Sequence, residues 1–293
     1  MRRVVILVAV ATVAMSVMTS GCTSSDPARQ TRPEASYYLA LGDSLSRGVQ
    51  PDSAGASLAT RQGYADQLYA ALRRGHPGLR LVKLGCSGET TDTMIDGGIC
   101  SYPGGSQLAA AVSFLRAHRG RVSLITIDIG ANDPGSCVMR TSVGAVASCL
   151  GKSFPATVAN LTQIMRRIRA AGGDQVRIIG MNYYVPALAE WRNGLVGEAL
   201  ARLSEGLVVS YNELLASVYR AFRARVADVF GAFRSGDFTG HVTVRGIGSV
   251  PPNVAAICLW TWECASAPRG PNQHADAAGY GVIAQTFQQA DLG

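Results

Sequence analysis

Histidine is scarce in this chain, with four in 293 residues, and no two of them lie near each other. The seven cysteines contain no CxxC pair. Zinc and other metal sites are therefore not expected, since they draw on clustered histidines and paired cysteines. No phosphate-cradling motif and no internal repeat stand out, so no cofactor is expected. Basic residues do not alternate with aromatics. Arg73, Arg74, Arg166, Arg167, Arg220 and Arg223 are scattered over helix faces, which argues against a nucleic-acid partner. The formal charge is +7, and falls to about +5 without Arg2 and Arg3. Long apolar runs are also few. The longest, residues 4–17, is shorter than the roughly 20 residues a membrane span needs.

That run has a different use. "MRRVVILVAVATVAMSVMTSGC" has a basic start, an apolar stretch and small residues before Cys22, the layout of a secretory signal. "TSGC" resembles a bacterial lipobox, with Thr19 where leucine is usual. Residues 1–21 are read as a lipoprotein-type signal peptide. Lipidation at Cys22 is the expected link to the membrane, and plain secretion is the alternative. Residues 22–35 are polar and contain proline, as in a flexible tether. Residues 36–293 remain for one domain, and 47% of the chain is hydrophobic, enough for one sizeable core.

Six cysteines fall in that domain: Cys86, Cys100, Cys137, Cys149, Cys258 and Cys264. An even number in an exported chain suggests disulfides, although six cysteines allow 15 pairings. They form three local couples, which favours Cys86–Cys100, Cys137–Cys149 and Cys258–Cys264.

Apolar periodicity gives alternating strands and helices. Strands are expected at "YYLALG", "LRLVKLG", "RVSLITIDIG", "QVRIIGMNYY" and "ARVADVF". Helices are expected over 63–74, 108–117, 157–171, 195–224 with a break at Gly206, and 275–290. This alternation predicts a three-layer α/β/α sandwich around a parallel five-stranded sheet. Ligands of such sheets bind beyond the carboxyl ends of the strands. Asp43-Ser44, "GCSGETT", "GANDPG" and "NYYVP" follow the first four strands, so these polar clusters meet at one edge.

A serine there needs a base to become a nucleophile. His76 and His118 precede strands, at the wrong end of the sheet, and His241 lies in an irregular stretch. His274 precedes the last helix and can reach the edge that carries Ser44.

Four blocks now stand in order: Gly42-Asp43-Ser44-Leu45, "SGETT" with Gly88, Gly130-Ala131-Asn132-Asp133, and a late histidine. Together they resemble the GDSL, or SGNH, hydrolase family over nearly the whole chain after the tether, most of all its secreted actinobacterial esterases and lipases. The resemblance implies the flavodoxin-like fold of that family, three local disulfides and a serine esterase or lipase acting on carboxylic esters without a cofactor. It implies Ser44 as nucleophile and His274 as base. It implies an oxyanion site made by the N–H groups of Ser44 and Gly88 and the amide of Asn132.

One position departs from the family pattern. Aspartate usually stands three residues before the histidine, and here that residue is Pro271. A dyad oriented by the Pro271 carbonyl is expected, with Asn272, Glu263 and Asp276 as other partners for the ring. Tyr183, Tyr184, Trp260 and Trp262 are candidates for pocket walls or for core packing. The substrate is expected to be a small-molecule or lipid ester and the protein a monomer at the outer face of the cell membrane. A carbohydrate O-acetylesterase shares the mechanism and remains an alternative. A solute-binding lipoprotein without catalysis is a further one.

Overall fold

Tyr38 to Leu41 are fully buried in strand β1 (Tyr37–Gly42), and that burial fixes the centre of the molecule. Leu39 and Leu41 each contribute roughly 1.5–3 kcal/mol through removal from water. The computed structural model describes residues 37–138 and 143–292. The expected signal peptide, Cys22 and the tether lie outside the described residues.

Four more strands complete the sheet: β2 (Arg80–Lys83), β3 (Val122–Asp128), β4 (Arg177–Met181) and β5 (Arg225–Ala227). All pair in parallel, in the order β2-β1-β3-β4-β5. This is the doubly wound order of flavodoxin-like sheets. β3 is apolar and nearly continuous because it has a strand on each side and helices on both faces.

Helices α1 (Tyr64–Leu72) and α5 (Ala277–Leu292) pack together on one face, where the rings of Tyr64 and Phe287 stack at 4.7 Å. Helices α2 (Gln107–Ala117), α3 (Val143–Gly172) and α4 (Gly194–Ala221) form the other layer. The expected sandwich and its five parallel strands are as read from the sequence.

Two helix boundaries differ from expectation. α3 starts 14 residues before Thr157 and runs through Pro155. An interior proline costs about 3 kcal/mol. Tertiary contacts offset it: Phe154 packs on Tyr211 at 4.6 Å, and Cys149 is bonded to Cys137. α4 is continuous through Gly206, where glycine costs only about 1 kcal/mol relative to alanine.

Register places the site. Gly42 pairs with Asp128, so β1 and β3 end level with each other. Gly42 has φ +130°, and a Cβ on it would lie 2.1 Å from the Asp128 carbonyl oxygen. Only glycine lets β1 end this close to β3 and turn directly into Asp43-Ser44.

Candidate active site

Asp43 caps the short helical turn Ser44–Arg47, its Oδ1 accepting from the Leu45 N–H at 3.0 Å. The buried Gln107 holds the strand end from behind. Its Oε1 accepts from Gly42 N–H (2.7 Å), and its Nε2 donates to Gly42 O and Glu89 Oε2, both at 2.9 Å. Asp128 accepts from the N–H of Ser46 at 3.0 Å and from the Tyr64 hydroxyl. Ser44 is thus fixed through its neighbours on both sides. Its own hydroxyl makes a long contact of 3.4 Å to Asp43 Oδ1.

Asp43 and Asp128 are both buried, and neither forms an ion pair among the described residues. Burial pushes both carboxyls up; the Asp43 charge raises Asp128 further, whereas the hydrogen bond with Asp128 holds the rise of Asp43 back.

The second block lies in the turn after β2. Gly88 has φ +81° there, a conformation that other residues adopt at a cost. The third block is tied to it by side chains. Asn132 Nδ2 donates to Glu89 O at 2.9 Å, which leaves its second hydrogen free for a ligand. Asp133 accepts from the Thr91 N–H at 3.0 Å, from the Thr91 hydroxyl, and from Thr157 Oγ1 at 3.1 Å. Asp133 therefore joins the loops that carry Gly88 and Asn132.

His274 is oriented differently from the expectation. Its Nδ1 lies 2.7 Å from Asn272 Oδ1, and the same oxygen accepts the His274 backbone N–H at 3.0 Å. That backbone donor requires the amide oxygen to face the ring, since the NH₂ group would meet an N–H. Nδ1 must then carry the proton, and Nε2 is left as the basic atom. The Pro271 carbonyl, expected to orient the ring, does not. The side chain one residue later reaches the ring first. The two carboxylates weighed for that role do not bond to the ring. Asp276 Oδ1 accepts from Gly279 N–H at the start of α5 (2.8 Å), and Glu263 lines a different cavity. Burial without a carboxylate partner pushes the His274 imidazole down to about 4.

The loop behind His274 is held by the Cys258–Cys264 segment. Trp262 N–H donates to His274 O (3.0 Å), and Asn272 N–H donates to Trp262 O (3.2 Å). All three favoured disulfides are present: Cys86–Cys100, Cys137–Cys149 and Cys258–Cys264. They fit a secreted protein.

Ser44, Asn132 and His274 line one cavity of about 160 Å³. Leu45, Pro134, Pro186 and Val208 give it an apolar character, and Tyr183, Tyr184 and Tyr211 complete its wall. Gly88 is exposed and lies outside that wall. The tryptophans do not reach it. Trp260 packs edge-on against Phe233 at 5.3 Å, and Trp262 sits under the Arg269 guanidinium. Among the described residues no group of three His, Cys, Asp or Glu is placed to hold a metal ion.

The sequence pointed to Ser44, His274, Gly88 and Asn132 but not to Gln107, Asp128 or Tyr64. Gln107 carried a faint signal, a lone polar residue at the start of the apolar helix "QLAAAV".

The model of the GDSL-like lipase/acylhydrolase family matches residues 40–246. The chain belongs to that family. The match contains Ser44, Gly88 and Asn132, while His274 falls beyond it. A sequence search of curated proteins finds no match. Among solved structures, the extracellular lipase of Streptomyces rimosus is similar, with TM-score 0.53 and 19% identity over 87% of this chain and 100% of that one. The lipase Lip_vut3 from a goat rumen metagenome gives 0.57 and 17% over 88% and 98%. Axe2, an acetylxylan esterase from Geobacillus stearothermophilus, gives 0.52 and 15% over 88% and 94%. At these identities the likeness establishes the fold.

Proposed function

We propose that this member of the family is an exported serine esterase that cleaves carboxylic esters with short acyl groups through an acyl-enzyme on Ser44. One observation carries the reading: Ser44, Asn132 and a histidine with a fixed tautomer line a single small cavity. Ser44 Oγ attacks the ester carbonyl while its proton passes to His274 Nε2. The oxyanion is held by the free hydrogen of Asn132 Nδ2 and by the backbone N–H of Ser44, both residues of the cavity wall. Collapse expels the alcohol, which takes the proton back from the imidazolium. Water then attacks the acyl-enzyme, with His274 again taking the proton and returning it to Ser44 Oγ.

The cavity size limits the acyl group. A cavity of about 150 Å³ holds a benzene-sized molecule. A site of about 160 Å³ therefore suits acyl groups up to about six carbons. The test is a series of p-nitrophenyl esters from acetyl to palmitoyl. Turnover should be best between acetyl and hexanoyl and fall by at least three decades in Ser44→Ala. Full activity in that variant refutes Ser44 as the nucleophile, and no hydrolysis of any ester in the series refutes the esterase and favours a solute-binding protein.

A further inference from the structure

A second cavity, of about 640 Å³, lies beside the first and has a different chemistry. Its volume falls within the roughly 300–1,000 Å³ of small-molecule sites. Glu190, Trp191, Arg192, Asn193, Ser249 and Glu263 supply half of its lining residues and all of its polar side chains.

Two separate chain segments run from one cavity to the other. Pro186 lines the first and Ala189 the second, three residues on. Pro271 lines the second, and Gln273 and His274 line the first. Two residues span at most about 7 Å, so the cavities share a thin partition. On the side of the first cavity Tyr184 braces the partition, its hydroxyl donating to Gln273 O at 2.7 Å. A substrate whose ester sits at Ser44 has only this partition to pass for its alcohol side to reach the second cavity.

The chemistry of the wall selects what enters. The acyl group belongs in the apolar first cavity. An alkyl chain in the second would strip water from two carboxylates, a guanidinium and an amide without replacing those hydrogen bonds, at a cost of about 1–3 kcal/mol for each. An anionic group would meet Glu190 and Glu263. Both carboxylates lack an ion-pair partner among the described residues. Burial, and after it the neighbouring Glu190, push the Glu263 carboxyl up. A small cation is disfavoured by Arg192 in the same wall and by the volume.

A neutral molecule with many hydroxyls fits all of these features. Glu190 is already oriented as an acceptor by Asn193 Nδ2 at 2.7 Å. Arg192 donates, and Ser249 does both. Trp191 is held by the Arg202 guanidinium, 5.0 Å from its ring centroid, and by Phe238 at 5.5 Å. It offers a rigid apolar plane of the kind on which the C–H face of a sugar ring rests.

We infer that the second cavity binds the alcohol half of the substrate, and that this half is a polyhydroxylated alcohol of mono- or oligosaccharide type. The inference rests on the esterase reading for the identity of the reacting bond, and its test separates the two. The ligand arm uses Ser44→Ala protein titrated calorimetrically with free cellobiose and free xylobiose. Millimolar or tighter binding of either disaccharide is expected, weakened at least tenfold by adding Trp191→Ala or Glu263→Gln. The kinetic arm compares wild type on an acetylated methyl glucoside and on ethyl acetate. The sugar ester should be favoured at least tenfold in kcat/KM, and Glu263→Gln should reduce that ratio at least fivefold, through KM. Binding without hydrolysis of any ester retains the cavity proposal and removes the esterase. Hydrolysis of simple esters with no sugar binding and no preference overturns the cavity proposal and leaves the esterase. Preference for acetylcholine over the sugar ester overturns it too.

Discussion

Replacing Asn272 by aspartate puts a negative charge where His274 has a neutral acceptor, 2.7 Å from Nδ1. Asn272→Asp keeps both acceptor roles of Oδ1, towards the ring and towards the His274 N–H, and loses only the 3.2 Å bond from Nδ2 to Ser57 Oγ. An opposite charge at this distance shifts a partner by about 1–3 units towards its charged form. The imidazole, now held down to about 4 by burial, should rise to roughly 5–7. The base works only when neutral, so kcat/KM in the natural protein should fall to half near pH 4, and in Asn272→Asp one to three units higher. Above that limb the effect reverses. Each unit is about 1.4 kcal/mol of added support for the imidazolium, or up to about tenfold in kcat if the transition state feels all of it. The assay is a pH–rate profile on p-nitrophenyl acetate from pH 3.5 to 9 for both proteins, with Asn272→Ala as the control that removes the acceptor. An acid limb that does not move in Asn272→Asp would falsify the assignment of Asn272 as the residue that orients the base. So would an Asn272→Ala enzyme as fast as the natural one.

Other outcomes follow from the same geometry. Asn132→Ala should lose about 10²–10³ in kcat with a smaller change in KM, since one oxyanion donor is worth that much; a change confined to KM means that Asn132 only positions the turn at Glu89. Removing the Cys258–Cys264 bond, whose partners are 6 residues apart, should cost about 2 kcal/mol in denaturant unfolding. It should also slow turnover, because Trp262 holds the main chain around His274; unchanged turnover in Cys258→Ser/Cys264→Ser refutes that link. Stability should hold in mild acid. The depressed His274 binds fewer protons folded than unfolded, so its contribution, about 3 kcal/mol, is lost as pH falls from 6.5 to 4. The raised carboxyls of Asp43, Glu89, Asp128, Asp133 and Glu263 act in the opposite direction, their contribution being lost as pH rises through their folded values. Between pH 5 and 7.5 Asp43, raised to about 6, and Asp128, raised well above the usual carboxylate range, oppose His274, so Tm at pH 5 should equal or exceed Tm at pH 7.5; a drop of more than about 5 °C contradicts this balance.

The sheet was legible in the sequence because a parallel sheet covered on both faces forces its strands to be apolar throughout. "SLITID" can hardly be anything else between two glycine-marked turns. The polar clusters at its carboxyl edge followed from the same alternation; they pointed to Ser44, Gly88 and Asn132, and the loop before the last helix pointed to His274. The start of α3 was not legible. Local rules give Pro155 and the glycines before it as a boundary, whereas the helix there is held by Phe154 on Tyr211 and by the Cys137–Cys149 bond, 12 residues apart.

Orientation within the site was less legible than membership. Position 271 is where a family pattern looks for a partner to the histidine, and a proline there leaves only a carbonyl. Whether a carbonyl or the next side chain reaches Nδ1 depends on how the loop lies against Trp262, a contact between residues ten apart along the chain. The same holds for Gln107, 65 residues from the Gly42 it grips on both its N–H and its C=O. A glutamine at a helix start reads locally as solvated, and only the sheet brings it to the strand end. The residues proposed to react are marked by their chemistry, because few side chains can serve as nucleophile, base or oxyanion donor. Those that hold them in place are ordinary amides and carboxylates, so their roles follow from the register of Gly42 with Asp128 and not from their type.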